Sequence, residues 1–182
     1  GHPVAMKMFD GSKNDKTSVK ELIEDVIVEG CLYLMDRGFY SPELKKTLAG
    51  GKATYIMPIS ANMNAYQEAL KRGRGRLKTF VYKRREGMHT VKSVVEYQVS
   101  SDESGTRTIY FRNLHEAECE KANYLECIEK KVPGYTEAKL EAAEKTFGVI
   151  VLETTHNGTP QEIYEYYKER WSIETFYDYL KH

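Results

Sequence analysis

Cysteine, long apolar runs and net charge are all scarce in this chain of 182 residues. Three cysteines with no Cys-x-x-Cys pair cannot form a disulfide framework, which favours a reducing, cytosolic compartment. The longest apolar run, 147–152, is far shorter than the roughly 20 residues of a membrane span. The 27 basic and 27 acidic residues cancel, which excludes a uniformly basic nucleic-acid-binding protein but leaves room for local patches.

What remains is the composition of a folded, soluble protein, with 41% apolar and 30% charged residues. The length predicts one domain, or one domain with a sizeable insertion. The chain opens on Gly1-His2-Pro3, without a Met or a signal peptide. We therefore expect it to be a piece of a longer protein.

Residues 1–59 alternate strand and helix signals. Apolar residues recur every third or fourth position over 19–27, before Gly30, and Ser41-Pro42 is typical of a helix start. Strands are predicted at 4–9, 31–35 and 53–59. This β-α-β-α-β order predicts an α/β fold with a parallel sheet.

Residues 60–145 have a different character and segregated charge. Strands are predicted at 77–82, 91–99 and 106–111, followed by helical sequence over 114–145. Nine Lys or Arg stand against the single acid Glu86 between residues 71 and 92, whereas eight Glu stand against five Lys over 116–145. The neutral total therefore hides a basic β-rich part and an acidic helical part.

Residues 146–182 return to the α/β pattern. A buried strand is predicted at 147–152, and Thr159-Pro160-Gln161-Glu162 has the form of a capping box before a long helix. On that helix, one stripe carries an aromatic hydroxyl, a guanidinium, a carboxylate and an ammonium group: Tyr167, Arg170, Glu174 and Lys181. The face predicted to anchor the helix to a sheet carries Tyr166, Ile173, Phe176 and Leu180.

Two readings of these polar residues stay open from spacing alone. Arg170 and Glu174 are four residues apart, as in an ordinary surface ion pair. Asp36 follows a buried strand at its carboxyl end, where open α/β sheets bind ligands, yet an Asp before Arg37-Gly38 also suits a simple turn.

Together the motifs resemble a known family. Tyr-x2-Arg-x3-Glu-x6-Lys, complete here from Tyr167 to Lys181, is similar to the signature of one large group of DDE transposases from bacterial insertion sequences. The segment Met-Asp-Arg-Gly-Phe-Tyr-Ser at 35–41 resembles the one that holds the second catalytic Asp of that family. The opening segment, 2–18, resembles the strand and turn between the first and second catalytic Asp.

The resemblance implies a ribonuclease-H-like core, truncated at its N-terminal strands, with a β-rich and helical insertion before the last strand and helix. The implied domains are 1–59 and 146–182 for the core and 60–145 for the insertion. The implied active site is a triad of carboxylates holding two Mg²⁺ or Mn²⁺ ions, in which Asp36 is the second Asp and Glu174 the Glu. The first Asp is expected upstream of residue 1, so the fragment alone should be inactive.

The resemblance also implies a DNA partner, both transposon ends and target. Tyr167 and Arg170 correspond to residues that hold the DNA end, and Lys181 could bind a phosphate. A second phosphate-binding surface is predicted from the basic run, with a solvated, charged β-ribbon as the alternative. This run comprises Lys71, Arg72, Arg74, Arg76, Lys78, Lys83, Arg84 and Arg85. We further expect self-association, no membrane partner and a place in the bacterial cytoplasm at the nucleoid.

Two alternatives remain beside an active transposase core, and a metal site is considered apart from them. The chain could be a non-catalytic DNA-binding relic of the same fold, or a plain α/β interaction domain. A zinc site of His115, Cys119 and Cys127 is conceivable, but the spacing fits no usual zinc pattern and favours two buried thiols on a charged helix.

Overall fold

The structure is a computed structural model that describes residues 26–73, 75–86 and 88–170, without the side chain of Glu86. Its strands are β1 (Leu32–Leu34), β2 (Thr54–Pro58), β3 (Lys78–Glu86), β4 (His89–Ser101), β5 (Arg107–Asn113) and β6 (Val149–Thr154). Its α-helices are α1 (Pro42–Gly50), α2 (Asn64–Arg72), α3 (Leu114–Glu129), α4 (Glu137–Glu144) and α5 (Pro160–Glu169). The predicted strand 4–9 and most of the predicted helix 19–27 lie outside the described residues.

One mixed sheet of six strands runs through the described part of the chain, in the order β1-β2-β6-β5-β4-β3. Only β1 and β2 are parallel; every other neighbouring pair is antiparallel. The predicted α/β class is confirmed, and so is the parallel arrangement predicted for residues 1–59, as far as its two described strands β1 and β2 show. The strands β3, β4 and β5 follow one another through short turns, which only antiparallel neighbours allow.

The strands predicted for the insertion continue the same sheet as the flanking strands. Strand β5 pairs with β6 from Arg107 opposite Thr154 to Arg112 opposite Val149, and β6 in turn pairs with β2. Hydrogen bonds thus join the 60–145 segment edge to edge with the predicted core. The domain boundaries themselves stay a prediction.

Both predicted helix starts are present, because each depends on local hydrogen bonds. Ser41 Oγ accepts a hydrogen bond from the Leu44 amide at 3.1 Å, and Pro42 occupies the first position of α1. At α5, Thr159 and Glu162 form the complete capping box, with Pro160 at the first helical position. These contacts satisfy amide groups that the first helical turn would leave without partners.

The predicted helical stretch 114–145 is two helices. Helix α3 ends at Glu129 and α4 begins at Glu137, because Pro133 lacks an amide donor and Gly134 adopts a positive φ of 94°. The last strand also begins two residues later than predicted. Gly148 has a φ of 67°, and a Cβ there would lie 2.3 Å from the Asn113 carbonyl oxygen, so only glycine fits this approach.

Helices cover both faces of the sheet. On one face, α5 packs on strands β2, β4, β5 and β6; this core contains Ile56, Val95, Ile109, Phe111, Leu152, Ile163, Tyr164 and Tyr167. On the other face, α1 and α2 pack through Leu44, Leu48, Tyr66 and Ala69. Within the described chain, no helix is long and apolar enough to cross a membrane.

The face by which α5 contacts the sheet differs from the predicted one. Tyr166, predicted as an anchor, is 38% exposed, and its ring meets His156 edge-on. Tyr167, predicted for the polar stripe, is 7% exposed and belongs to the core. Spacing shows which residues share a face, whereas the position of the sheet decides which face is buried.

Candidate active site

Asp36 lies in an exposed turn directly after β1. The strand is held there by the Met35 amide, which donates to the Ile56 carbonyl at 3.0 Å. Asp36 Oδ1 accepts a hydrogen bond from the Arg37 amide at 2.7 Å and caps a short 3₁₀ turn over 37–39. The turn chemistry considered from the sequence is therefore present, and the Asp36 side chain nevertheless remains 53% exposed.

The end of α5 brings two residues of the Tyr-Arg-Glu-Lys motif to this turn. Arg170 Nη1 lies 3.8 Å from Asp36 Oδ1, and the Arg170 side chain is only 15% exposed. The Arg170 guanidinium also lies 5.5 Å from the centre of the Tyr167 ring. Asp36 thus meets Tyr167 and Arg170, which are far from it in sequence, at the carboxyl end of β1.

Burial sets the electrostatics of Tyr167. Desolvation raises the pKa of its phenol, the Arg170 charge opposes that rise and the Asp36 charge adds to it. At neutral pH the hydroxyl is therefore a protonated donor beside a cation and an anion. The site can offer both positive and negative groups to a ligand at one end of the sheet.

The other two residues predicted for this site, Glu174 and Lys181, lie outside the described part of the chain. The same holds for Arg74 of the basic run. In the described segments, no cluster of three His, Cys, Asp or Glu could hold a metal ion. His115 Nε2 and Cys119 Sγ are 3.9 Å apart on α3. The prediction of two buried thiols is wrong, because Cys119 is exposed and Cys127 is only half-buried.

The comparison with protein families decides the identity of the chain. The family model described as "Transposase DDE domain" matches residues 1–182. The chain belongs to this family. A search of curated proteins gave no significant match.

Membership of the transposase DDE domain family implies phosphodiester cleavage and transfer in the parent protein, on a DNA substrate and with divalent metal ions. Asp36 is compatible with such an ion, because it presents a half-exposed carboxylate, the hard oxygen ligand that Mg²⁺ prefers. The described residues supply this one carboxylate beside Arg170, which is fewer than a metal centre needs.

The described members of the basic run are all exposed. They lie at the end of α2, in the connection to β3 and along β3 itself: Lys71, Arg72, Arg76, Lys78, Lys83, Arg84 and Arg85. The structure does not gather them at the Asp36 turn, since β1 and β3 are the opposite edges of the described sheet. The run therefore forms a separate basic surface.

Strand alternation divides the run on β3 between two faces. Phe80 and Tyr82 pack their rings against Tyr164 of α5, which places Arg84 on the α5 side as well. Val81 and Lys83 point the other way, where Val81 is 51% exposed. Arg85 follows the same alternation but also lines the groove on the α5 side. We call the β3–β4 surface of Val81, Lys83, Arg85, Lys92 and Val94 the outer ribbon face.

Lys92, the last cation of the basic stretch 71–92, was not among the residues predicted to bind DNA. It lies directly opposite Lys83 across the β3–β4 ladder, and neither Lys forms an ion pair within the described structure. Like charges opposite each other destabilise a ladder unless something neutralises them.

The α5 side of the ribbon is electrostatically mixed. A groove of about 600 Å³ lies there, lined by Tyr82, Arg84, Glu116 and Lys168 among others. Burial raises the pKa of Tyr82; the Arg84 charge opposes that rise, whereas Glu116, Glu165 and Glu169 add to it. Lys168 donates to both Glu116 oxygens, at 2.7 and 2.9 Å. Acids therefore offset the cations on this side.

Proposed function

We propose that this chain is part of the catalytic core of a DDE transposase, with a ribonuclease-H-like fold, that cleaves and joins DNA at transposon ends. Asp36 and Glu174 are its metal-binding carboxylates, and Tyr167 and Arg170 hold the DNA end. The observation that carries the proposal is the convergence of Asp36 with Arg170, 3.8 Å apart at the carboxyl end of β1. A plain interaction domain gives no reason for a motif helix to end on that turn.

The proposed chemistry uses what each side chain offers. Arg170 supplies a planar guanidinium able to bind a phosphate with two hydrogen bonds, and Tyr167 supplies a protonated hydroxyl beside it. Asp36 and Glu174 would hold Mg²⁺ or Mn²⁺, ions that supply activation of the attacking hydroxyl and stabilisation of the leaving oxygen when bound. Glu174 lies outside the described residues, and its assignment rests on the resemblance of the motif from Tyr167 to Lys181 to the family signature.

We propose double-stranded DNA as the partner of the outer ribbon face. The support is its set of exposed cations without carboxylate partners in the described structure. Cations arranged in this way bind phosphates independently of base sequence. Self-association and a position at the nucleoid remain proposals of the same kind, resting on the family alone.

The decisive experiment replaces single carboxylates in the full-length protein. Asp36→Asn and Glu174→Gln keep the side-chain shape but remove the charge that a metal ligand needs. Strand cleavage should fall at least about 100-fold in each variant, while binding of a transposon-end duplex stays within about twofold. Both are measured on the same labelled DNA, by gel for cleavage and by anisotropy for binding.

Asp102→Asn is the matched control. Asp102 is also an exposed turn residue whose Oδ1 accepts backbone amides, from Ser104 and Thr106 at 2.9 Å, but it lies between β4 and β5. Cleavage by this variant should equal that of the wild type. Normal cleavage by Asp36→Asn would refute the catalytic assignment, and a wild-type protein that binds DNA without cleaving it would favour the relic.

A further inference from the structure

A carboxylate buried beneath the Asp36 turn is not explained by the proposed chemistry. Glu153, on β6, is 7% exposed and lies on the sheet face that α1 covers. It accepts hydrogen bonds from Tyr55 Oη at 2.7 Å, Tyr40 Oη at 2.8 Å and Lys45 Nζ at 2.9 Å. A buried carboxylate is tolerated only with such partners, and these three donors satisfy the oxygens of Glu153.

The partners of Glu153 come from three places in the fold. Tyr55 lies on β2, Lys45 lies on α1, and Tyr40 lies between the 3₁₀ turn and the start of α1. Lys45 Nζ also donates to Tyr40 Oη at 3.3 Å. Glu153 therefore ties the segment that follows Asp36 to the centre of the sheet.

The segment is also held by the half-buried rings of Phe39 and Tyr40, which pack on the core under α1, and by the contact between Asp36 and Arg170. Residues 36–38 are exposed and bury no side chain. The turn closes on itself through the Phe39 amide, which donates to the Asp36 carbonyl at 3.1 Å, and the Tyr40 amide, which donates to the Arg37 carbonyl at 3.4 Å. The tie from Tyr40 to Glu153 thus reaches from a local turn to a strand on the far side of β2.

The protonation states suit a permanent tie. Burial, together with Glu153, raises the pKa of both Tyr40 and Tyr55, so each phenol keeps its proton at neutral pH. Burial works against the charge on Lys45, but hydrogen bonding and attraction to Glu153 outweigh it, and the pKa of Lys45 is raised. The three donors therefore keep their protons across the physiological pH range.

We propose that Glu153 is a positioning residue that acts through Tyr40 to hold the Asp36 turn opposite Arg170. The effect on catalysis rests on the proposed function, whereas the hydrogen bond between Tyr40 and Glu153 does not depend on it. An exposed turn must keep its carboxylate in place for chemistry, and small displacements of a reacting group are costly in rate. The Tyr40 hydroxyl is the link that transmits the rigidity of the sheet to the turn.

The chain offers a matched pair of variants for the test. Tyr40→Phe and Tyr55→Phe each remove one phenol hydroxyl from the same carboxylate, but only Tyr40 is attached to the turn. In the full-length protein, amide exchange of a peptide covering 37–40 should be at least about fivefold faster in Tyr40→Phe and unchanged in Tyr55→Phe. Cleavage should follow the same order, with kcat about 10-fold lower in Tyr40→Phe at unchanged DNA affinity.

Glu153→Gln tests the other end of the tie. It keeps the side-chain volume and an acceptor oxygen but loses the charge, so exchange at 37–40 should lie between the wild type and Tyr40→Phe. Equal exchange in both phenylalanine variants would overturn the positioning role, and so would faster exchange with normal kcat. Normal cleavage by Asp36→Asn would instead overturn the proposed function, and the exchange measurement would still decide whether the tie exists.

Discussion

At the scale of single residues, Tyr167 shows how one side chain serves both the core and the site. Its ring belongs to the cluster between α5 and the sheet and is 7% exposed, while Arg170 and Asp36 both act on its hydroxyl. The motif tyrosine therefore positions Arg170 by filling the core beneath it. Its ring and its hydroxyl should have separable effects.

Two substitutions of Tyr167 separate them. Tyr167→Ala removes a buried ring and should lower the free energy of unfolding by about 3–5 kcal/mol, the usual cost for a large aromatic side chain. Tyr167→Phe keeps the ring and should cost less than about 1.5 kcal/mol, while weakening binding of the DNA end. Urea unfolding and anisotropy measure the two effects. A Tyr166→Ala control, at a 38% exposed position, should unfold nearly as the wild type does.

At the scale of elements, the β3–β4 ribbon is the feature whose two faces differ most. Its α5 side places Arg84 near Glu116, Glu165 and Glu169, whereas the outer ribbon face carries Lys83 opposite Lys92. The ladder beyond Val95 has no β5 partner, because β5 ends at Asn113 opposite that residue. The cationic end of the ribbon therefore projects from the sheet as two strands, a width that a DNA groove admits.

A face-by-face comparison tests this surface. Lys83→Ala with Lys92→Ala removes two charges from the outer ribbon face, and Lys78→Ala with Arg84→Ala removes two from the other side. The first double variant should weaken binding of any duplex and reduce the slope of log K against log salt by about 1–2. The second should change the slope by less than half as much. If both double variants gave the same slope of log K against log salt, the alternative of a solvated, charged β-ribbon would be favoured.

How far the sequence could predict these elements follows from the range of the interactions behind them. Ser41 and Thr159 were recognisable because a cap depends on residues three positions away. The break at Pro133-Gly134 was equally local and was readable from proline chemistry. The burial of Tyr167 rather than Tyr166, and the tie from Tyr40 to Glu153, depend on strands far apart in sequence, and no local pattern specifies such a packing.

At the scale of the whole molecule, the described residues bury phenols on both faces of the sheet. Desolvation is the largest cause of a raised pKa for the tyrosines of both cores: Tyr40, Tyr55, Tyr66, Tyr110, Tyr164 and Tyr167. Packing on both sheet faces therefore depends on neutral phenols. The free energy of unfolding should therefore decrease at alkaline pH, where phenols ionise.

Because these pKa values are higher in the folded chain than the ordinary value of about 10, the unfolded chain loses its phenol protons first as the pH rises. The stabilisation is complete below pH 10 and should decline progressively above it. The urea midpoint should therefore be constant from pH 8 to 9 and fall between pH 10 and 11. Tyr55→Phe removes one of the raised groups, so its midpoint should fall less steeply, whereas Tyr166→Phe, at an exposed position, should follow the wild type. A wild-type midpoint that stays constant up to pH 11 would mean that the buried phenols ionise as readily in the folded chain as in the unfolded one.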